Sequence, residues 1–100
     1  MLRYVAAGSE EELLVDVSDR TEALASLSGT KHEVYDNTAN AWEIGDGTYA
    51  NAVASTSSGL TIISLIDHAG FTPGPYSLYV WFQVGGNNIR KGPFEYTVIA

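Results

Sequence analysis

Hydrophobic residues along this chain recur at every second position. Leu13, Val15 and Val17 fall on one face of an extended segment, and Asp16 and Ser18 on the other. That is the pattern of a half-buried strand. Thr30 to Tyr35 alternates less cleanly, with His32 and Val34 opposing Lys31, Glu33 and Tyr35. Ala41 to Ile44 sets Trp42 and Ile44 together, and Tyr49 to Val53 reads as a further short strand. Leu60 to Ile66 is rich in β-branched residues, which fit a pleated surface. Tyr76 to Val84 alternates without a break. Tyr76, Leu78, Val80, Phe82 and Val84 share one face, and Ser77, Tyr79, Trp81 and Gln83 the other. Ile89 to Lys91 and Pro93 to Ile99 return as its partner, with Phe94, Tyr96 and Val98 in phase.

Turn residues separate these runs. Asp36 to Asn40, Gly45 to Gly47, Asp67 to Gly70 and Pro73 to Pro75 are rich in the residues that favour turns. Gly85-Gly86-Asn87-Asn88 suits the positive φ of a tight hairpin. Gly92-Pro93 interrupts the last strand and predicts a bulge or kink. Ala54 to Gly59 reads as a loop of small residues. The segment 1–10 is an arm or an edge strand. Helix signals are weak: the segment 19–27 admits either a loop or a short helix capped by Asp19. About seven short strands at intervals of roughly ten residues predict an all-β domain, a β-sandwich with a small barrel as the alternative.

One hundred residues make one domain, 1–100, large enough for an ordinary core. The chain has no cysteine, which removes disulfides and thiolate metal sites. Twelve acids against five bases give a net charge of −7, which disfavours nucleic acid and anionic membrane as partners. The charge is uneven. Residues 1–70 carry eleven acids and three bases, whereas 71–100 carry Glu95, Arg90 and Lys91 alone. No apolar run is long enough to span a bilayer as a helix.

The candidate chemistry is thin. No Gly-x-Ser-x-Gly elbow occurs. Asp67-His68 would be the start of a small hydrolase site, but its turn context reads as a solvated histidine. His32, beside Val34, reads as a satisfied core or edge histidine. Asp36-x-Thr38-x-Asn40, with Asp46 nearby, has a calcium-loop rhythm but lacks the central glycine and distal glutamate. The expectation is therefore no catalytic residue, no cofactor and no metal.

The anomaly is the terminal hairpin, apolar on one face and aromatic on the other. Left exposed, Tyr79 and Trp81 would form a patch of the kind that marks a binding surface. Ile63 and Leu65 repeat this two-sidedness on their own strand, and Arg90 and Lys91 are the only adjacent bases. These six residues form the candidate partner interface. A covering loop, or the segment 19–27, would equally account for the aromatic face. Stacking of a sugar on Trp42, Tyr49, Tyr79 or Trp81 is the competing reading.

Val15-Asp16-Val17-Ser18-Asp19-Arg20-Thr21 and Leu27-Ser28-Gly29 open the domain. Pro73-Gly74-Pro75-Tyr76-Ser77-Leu78-Tyr79-Val80, Gly85-Gly86 and Gly92-Pro93-Phe94-Glu95-Tyr96-Thr97-Val98 close it. Over about residues 13–99 this order resembles the small Ig-like domains of tailed-bacteriophage virion proteins, such as the N-terminal domain of baseplate upper proteins and short head, neck and tail accessory proteins. The resemblance implies an Ig-like antiparallel β-sandwich and a non-enzymatic structural subunit, a capsid decoration or cement protein or a head–tail or tail adaptor. Its implied partners are other virion proteins (capsid, connector or tail subunits). It would be present as a homo-oligomer or in many copies on a symmetric assembly, within a virion assembled in the host cytoplasm.

Overall fold

The computed structural model describes residues 3–18 and 27–100. Among them are nine strands: β1 (Tyr4–Ala6), β2 (Glu10–Asp16), β3 (Ser28–Asp36), β4 (Ala41–Ile44), β5 (Val53–Ala54), β6 (Thr56–Ser58), β7 (Thr61–Asp67), β8 (Gly74–Val84) and β9 (Asn87–Ile99). One sheet runs β1-β9-β8-β3-β4, with β5 also paired to β3, and the second runs β2-β7-β6. This is the strand order of an immunoglobulin-like sandwich. β2, β7 and β6 stand where B, E and D stand, and β9, β8, β3 and β4 where G, F, C and C′ stand.

The expected alternation is present where it was strongest. Tyr76, Leu78, Val80 and Phe82 of β8 are buried between the sheets, as are Leu13, Val15 and Val17 at β2. Ile62 and Ile66 of β7 and Tyr96 and Val98 of β9 complete the same core. The corner before β8 is tied by the Tyr76 hydroxyl, which donates to the Thr72 carbonyl at 2.8 Å. That back-bond to a carbonyl just upstream is the tyrosine corner of immunoglobulin sandwiches. Two residues on, where antibody domains place a disulfide cysteine, buried Leu78 packs instead.

The β8–β9 turn is Gly85-Gly86, at φ 55° and 83°. Positive φ at both central residues gives the turn the twist that matches its strands. The ladder shifts register where β9 passes Leu78 and Val80, at Gly92-Pro93, so the expected bulge is there. Gly92 lies at φ 139°, and a β-carbon on it would stand 2.9 Å from the Leu78 carbonyl oxygen. Only glycine lets β9 pass so close to β8 at this point.

Four expectations need correction. The sandwich is not wholly antiparallel, because β1 joins β9 in parallel, Tyr4 opposite Thr97 and Ala6 opposite Ile99. The strands exceed seven, because weak sequence signals hid two short ones. Tyr49 to Val53 is not a strand: Tyr49–Asn51 forms a single 3-10 turn, and only Val53–Ala54 pairs. Alanine and asparagine there have little to offer a pleated sheet. The small-residue segment 54–59 is not all loop, since Thr56–Ser58 pairs with Thr61–Ile63 as β6. The helix-or-loop alternative over 19–27 falls outside the described residues, except that Leu27 packs on the core.

Candidate functional site

On β3 the odd residues point out of the sandwich, and so do Tyr79 and Trp81 of β8. Cross-strand pairing sets Lys31 opposite Trp81 and Glu33 opposite Tyr79, and on the other side Trp81 opposite Arg90. Trp42 joins from β4. The result is one row of rings and cations. Tyr35 meets Trp42 at 5.1 Å, and Trp42 meets Tyr79 at 5.6 Å. The Arg90 guanidinium lies 4.5 Å from the Tyr79 centroid and 5.7 Å from that of Trp81. Tyr49 meets Trp81 edge-on at 5.8 Å, with the Lys31 ammonium 4.2 Å from the Tyr49 centroid.

This face is covered rather than bare. The segment 45–52 folds across it, tied to β3 by the Lys31 ammonium, which donates to the Tyr49 carbonyl at 3.0 Å, and by the Tyr49 hydroxyl, which donates to the Gly29 carbonyl at 2.7 Å. Asp46 holds the segment in shape, accepting from the Thr48 amide at 3.0 Å and from the Asn51 side chain at 2.7 Å. The Thr48 hydroxyl also donates to Asp46. The Thr48 hydroxyl bond, with help from Asn51 and the Thr48 amide, holds the Asp46 carboxyl below the usual carboxylate range. Beneath this cover lies Glu33, fully buried. Its Oε1 accepts the Gly47 amide at 3.2 Å, and its Oε2 faces Arg90 Nη1 at 3.3 Å. The aromatic alternation thus builds a second small core, and Tyr79 and Trp81 are half-buried in it. Among the described residues, Trp81 Nε1 is buried with no hydrogen-bond partner.

The six candidate interface residues do not form one surface. Tyr79, Trp81 and Arg90 share the outer face of the larger sheet. Lys91 follows Arg90 on one strand, pairs with inward-facing Val80 and is half-buried. Neighbours on a strand point to opposite faces, so the two bases do not make a single patch. Ile63 and Leu65 lie on the outer face of the other sheet. There Leu65 pairs with Glu12, and Ile63 with Leu14 and Thr56.

That second face carries the exposed apolar surface. Leu14 is 57% exposed and Leu65 53%, with half-buried Ile63 between them. Exposed Glu10, Glu12, Asp16 and Asp67 ring the stripe on the same face. Leu14 was missed in the sequence, although the alternation shows it. Once Leu13, Val15 and Val17 face inward, Leu14 is an apolar residue in an outward phase.

Both histidines belong to the interior. His32 is buried, with Nδ1 2.7 Å from the Ser55 hydroxyl, which in turn lies 3.1 Å from that of Ser64. His68 is not a solvated turn residue. It is fully buried, edge-on to Phe71 at 4.8 Å and to Tyr96 at 5.6 Å. Its sequence neighbours Asp67 and Ala69 are exposed, and only the fold shows that the imidazole turns inward. In the Asp36 loop, Asp36 Oδ1 accepts the amides of Thr38 and Ala39, the bonding of a polar turn. Among the described residues no group of three His, Asp or Glu side chains is arranged to hold a metal ion.

Burial of the His32 imidazole without a counter-charge pushes it down to about 4. The folded value lies below the unfolded value of about 6.5, so the unfolded chain binds the proton first. Stability is complete above pH 6.5 and is lost as the pH falls from there towards 4. At about 1.4 kcal/mol per unit, the loss approaches about 3 kcal/mol. In urea unfolding at pH 7 and pH 4.5, His32→Gln is expected to lose about 2 kcal/mol less than the wild type over that interval. Equal losses would mean that His32 is protonated in the folded chain.

Comparison with protein-family models, with curated proteins and with solved structures finds no match to this chain.

Proposed function

We propose that this protein is a non-enzymatic docking module, a decoration or adaptor subunit that seats on other proteins of a phage virion. The observation that supports this reading best is the Leu14, Ile63 and Leu65 stripe within its ring of carboxylates. Large aliphatic side chains held out on a rigid sheet and rimmed by charge are the composition of an interface centre and its rim. A face of this size gives a modest contact, and a symmetric shell multiplies a modest contact by avidity. The sugar-binding reading has less support. Trp42, Tyr79 and Trp81 spend their ring contacts on one another, on Tyr35 and Tyr49, and on Arg90.

The test is occupancy on particles. Phage particles purified from a lysate that carries this gene are expected to hold many copies of the chain, counted by mass spectrometry. Leu14→Ser with Leu65→Ser is expected to leave the fold within about 0.5 kcal/mol per site, since both side chains already face solvent. The same pair is expected to lower occupancy about tenfold or more, the loss of two apolar anchors. A chain that never sediments with particles overturns the virion reading. Unchanged occupancy of the double variant moves the docking face elsewhere.

A further inference from the structure

In immunoglobulin sandwiches of the constant type, a strand A lies beside strand B. Here the first strand of the chain, β1, lies on β9 in the other sheet, and β2 pairs with β7 alone. β2 is therefore an open edge among the described residues. Its backbone polarity follows from the ladder. Val17 donates its amide to the Leu60 carbonyl, towards the β7 side. Amides and carbonyls along an antiparallel strand alternate in direction. Val15 and Leu13 therefore face β7, and the backbone groups of Asp16, Leu14 and Glu12 face outward. One of these outward groups is already used in the way a strand would use it: the Glu12 carbonyl accepts from Arg3 Nη2 at 3.2 Å.

Beside this edge a cleft of about 240 Å³ opens between β2 and β9. That is several times the ~30 Å³ share of a water molecule. Leu13, Val15, Leu78, Phe94 and Tyr96 line it, with Arg3 and Glu95 among its polar groups. A row of outward backbone donors and acceptors, of which only the Glu12 carbonyl has a partner among the described residues outside its own strand, with an apolar slot alongside, is what strand addition requires. The main chain supplies affinity, and alternate side chains fill the slot.

We propose that the open edge of β2 takes up an extended segment of another polypeptide as an added strand. Alternate apolar residues of that segment enter the cleft, and the residues between them are basic. The basic requirement comes from the edge itself. Glu10, Glu12 and Asp16 all point to the outer face of β2, so an added strand places its outward side chains beside three carboxylates. A second copy does not meet this requirement. It brings the same carboxylates to the same edge, and its single pair of adjacent bases, Arg90-Lys91, is already built into β9. This inference rests on the docking reading for the existence of a partner, but it uses the edge of the sheet rather than its face.

The probe is a synthetic peptide that alternates lysine with valine. Two controls accompany it: a glutamate–valine version, and a shuffled peptide of the same composition without alternation. Amide hydrogen exchange is the readout. The lysine peptide is expected to slow exchange at Glu12, Leu14 and Asp16 by about tenfold or more, and to change Leu13 and Val15, already bonded to β7, much less. Glu12→Pro removes an outward amide without touching the β7 ladder, and proline is tolerated on such an edge. It is expected to abolish this protection, whereas Leu65→Ser, on the outer face, retains it. Because the wild-type exchange map alone decides the matter, a Glu12→Pro chain that fails to fold leaves the test intact. No protection, or equal protection by either control peptide, overturns the proposal. Protection of the same amides by raised protein concentration alone makes a second copy the occupant, which also overturns it. Particle occupancy separates the two readings: loss in Leu65→Ser with none in Glu12→Pro upholds the docking face and rejects the added strand.

Discussion

Arg90→Ala is expected to destabilise the fold by about 3 kcal/mol, and Glu33→Gln by only about 1 kcal/mol. The asymmetry follows from where the two partners sit. The Glu33 side chain has no exposed surface, while that of Arg90 is 39% exposed. Removing the arginine leaves a carboxylate in the interior with one amide, that of Gly47, as its remaining partner among the described residues. An uncompensated buried charge is among the costliest things a single substitution can create. Truncation also strips the guanidinium from Tyr79 and Trp81, contacts of about 0.5–1 kcal/mol each at a partly exposed site. Glu33→Gln removes the charge and keeps an oxygen for the Gly47 amide, so the cover over Trp42 and Trp81 stays in place. Arg90→Lys keeps a charge but loses the planar contact and is expected to fall between the two. Urea unfolding of the three variants, with the Arg90→Ala/Glu33→Gln double variant closing a thermodynamic cycle, measures the coupling. If Arg90→Ala costs no more than Glu33→Gln, the ion pair is not what holds the carboxylate.

The alternation of β8 was fully readable, because every second residue from Tyr76 to Phe82 is large and apolar and only one face of that strand meets the core. The fate of the opposite face was not readable from that strand. Whether Tyr79 and Trp81 meet solvent depends on the segment 45–52, which ends 27 residues before Tyr79 in sequence. Among the bonds that hold this segment down is the one from the Gly47 amide to Glu33, beside those that join Lys31 to Tyr49 and Tyr49 to Gly29. In the sequence, Glu33 is one acid among twelve in an outward phase, indistinguishable from a solvated one. Leu14 is the reverse case. Its exposure follows from the same period of two that assigned Leu13 and Val15 to the core, yet the three consecutive apolar residues Leu13 to Val15 hide a single out-of-phase leucine. The open edge of β2 was beyond local pattern altogether. Among the described residues it exists because β1 joins β9 rather than β2, and three residues of strand carry no record of which sheet they join.

The flanks of His68, Asp67 on one side and Ala69-Gly70 on the other, suggest a solvated turn residue, and the fold makes its imidazole a tie. Nδ1 lies 3.1 Å from the Ser9 carbonyl, which can only accept, so Nδ1 carries the proton. Nε2, 3.0 Å from the Tyr96 hydroxyl, then accepts from it. The backbone runs the same way: the His68 amide donates to Ser9, and the His68 carbonyl accepts from Gly8 and Phe71. One residue thus joins the β1–β2 turn, the β7–β8 loop and β9. Burial, with Tyr76 adding to it, also pushes the Tyr96 phenol well above its usual range, which keeps its hydroxyl available as the donor. His68→Ala would leave a void between Phe71 and Tyr96 and strand the Tyr96 hydroxyl, while the Ser9 carbonyl keeps its bond from the backbone amide of residue 68. The expected cost is about 3–4 kcal/mol, a cavity plus one unpaired polar group. For a domain of this size that lowers the melting temperature by about 15 °C or more. Tyr96→Phe, which removes one bond and no volume to speak of, is expected to cost about 1–2 kcal/mol. Thermal unfolding ranks the two. Amide exchange at Ala7 and Gly8, whose bonds run to Ile99 and His68, reports whether the β1 edge loosens with them. A His68→Ala chain with wild-type stability would return this imidazole to the solvent and break the tie that sets β1 against β9, and with it the reason that β2 is left open.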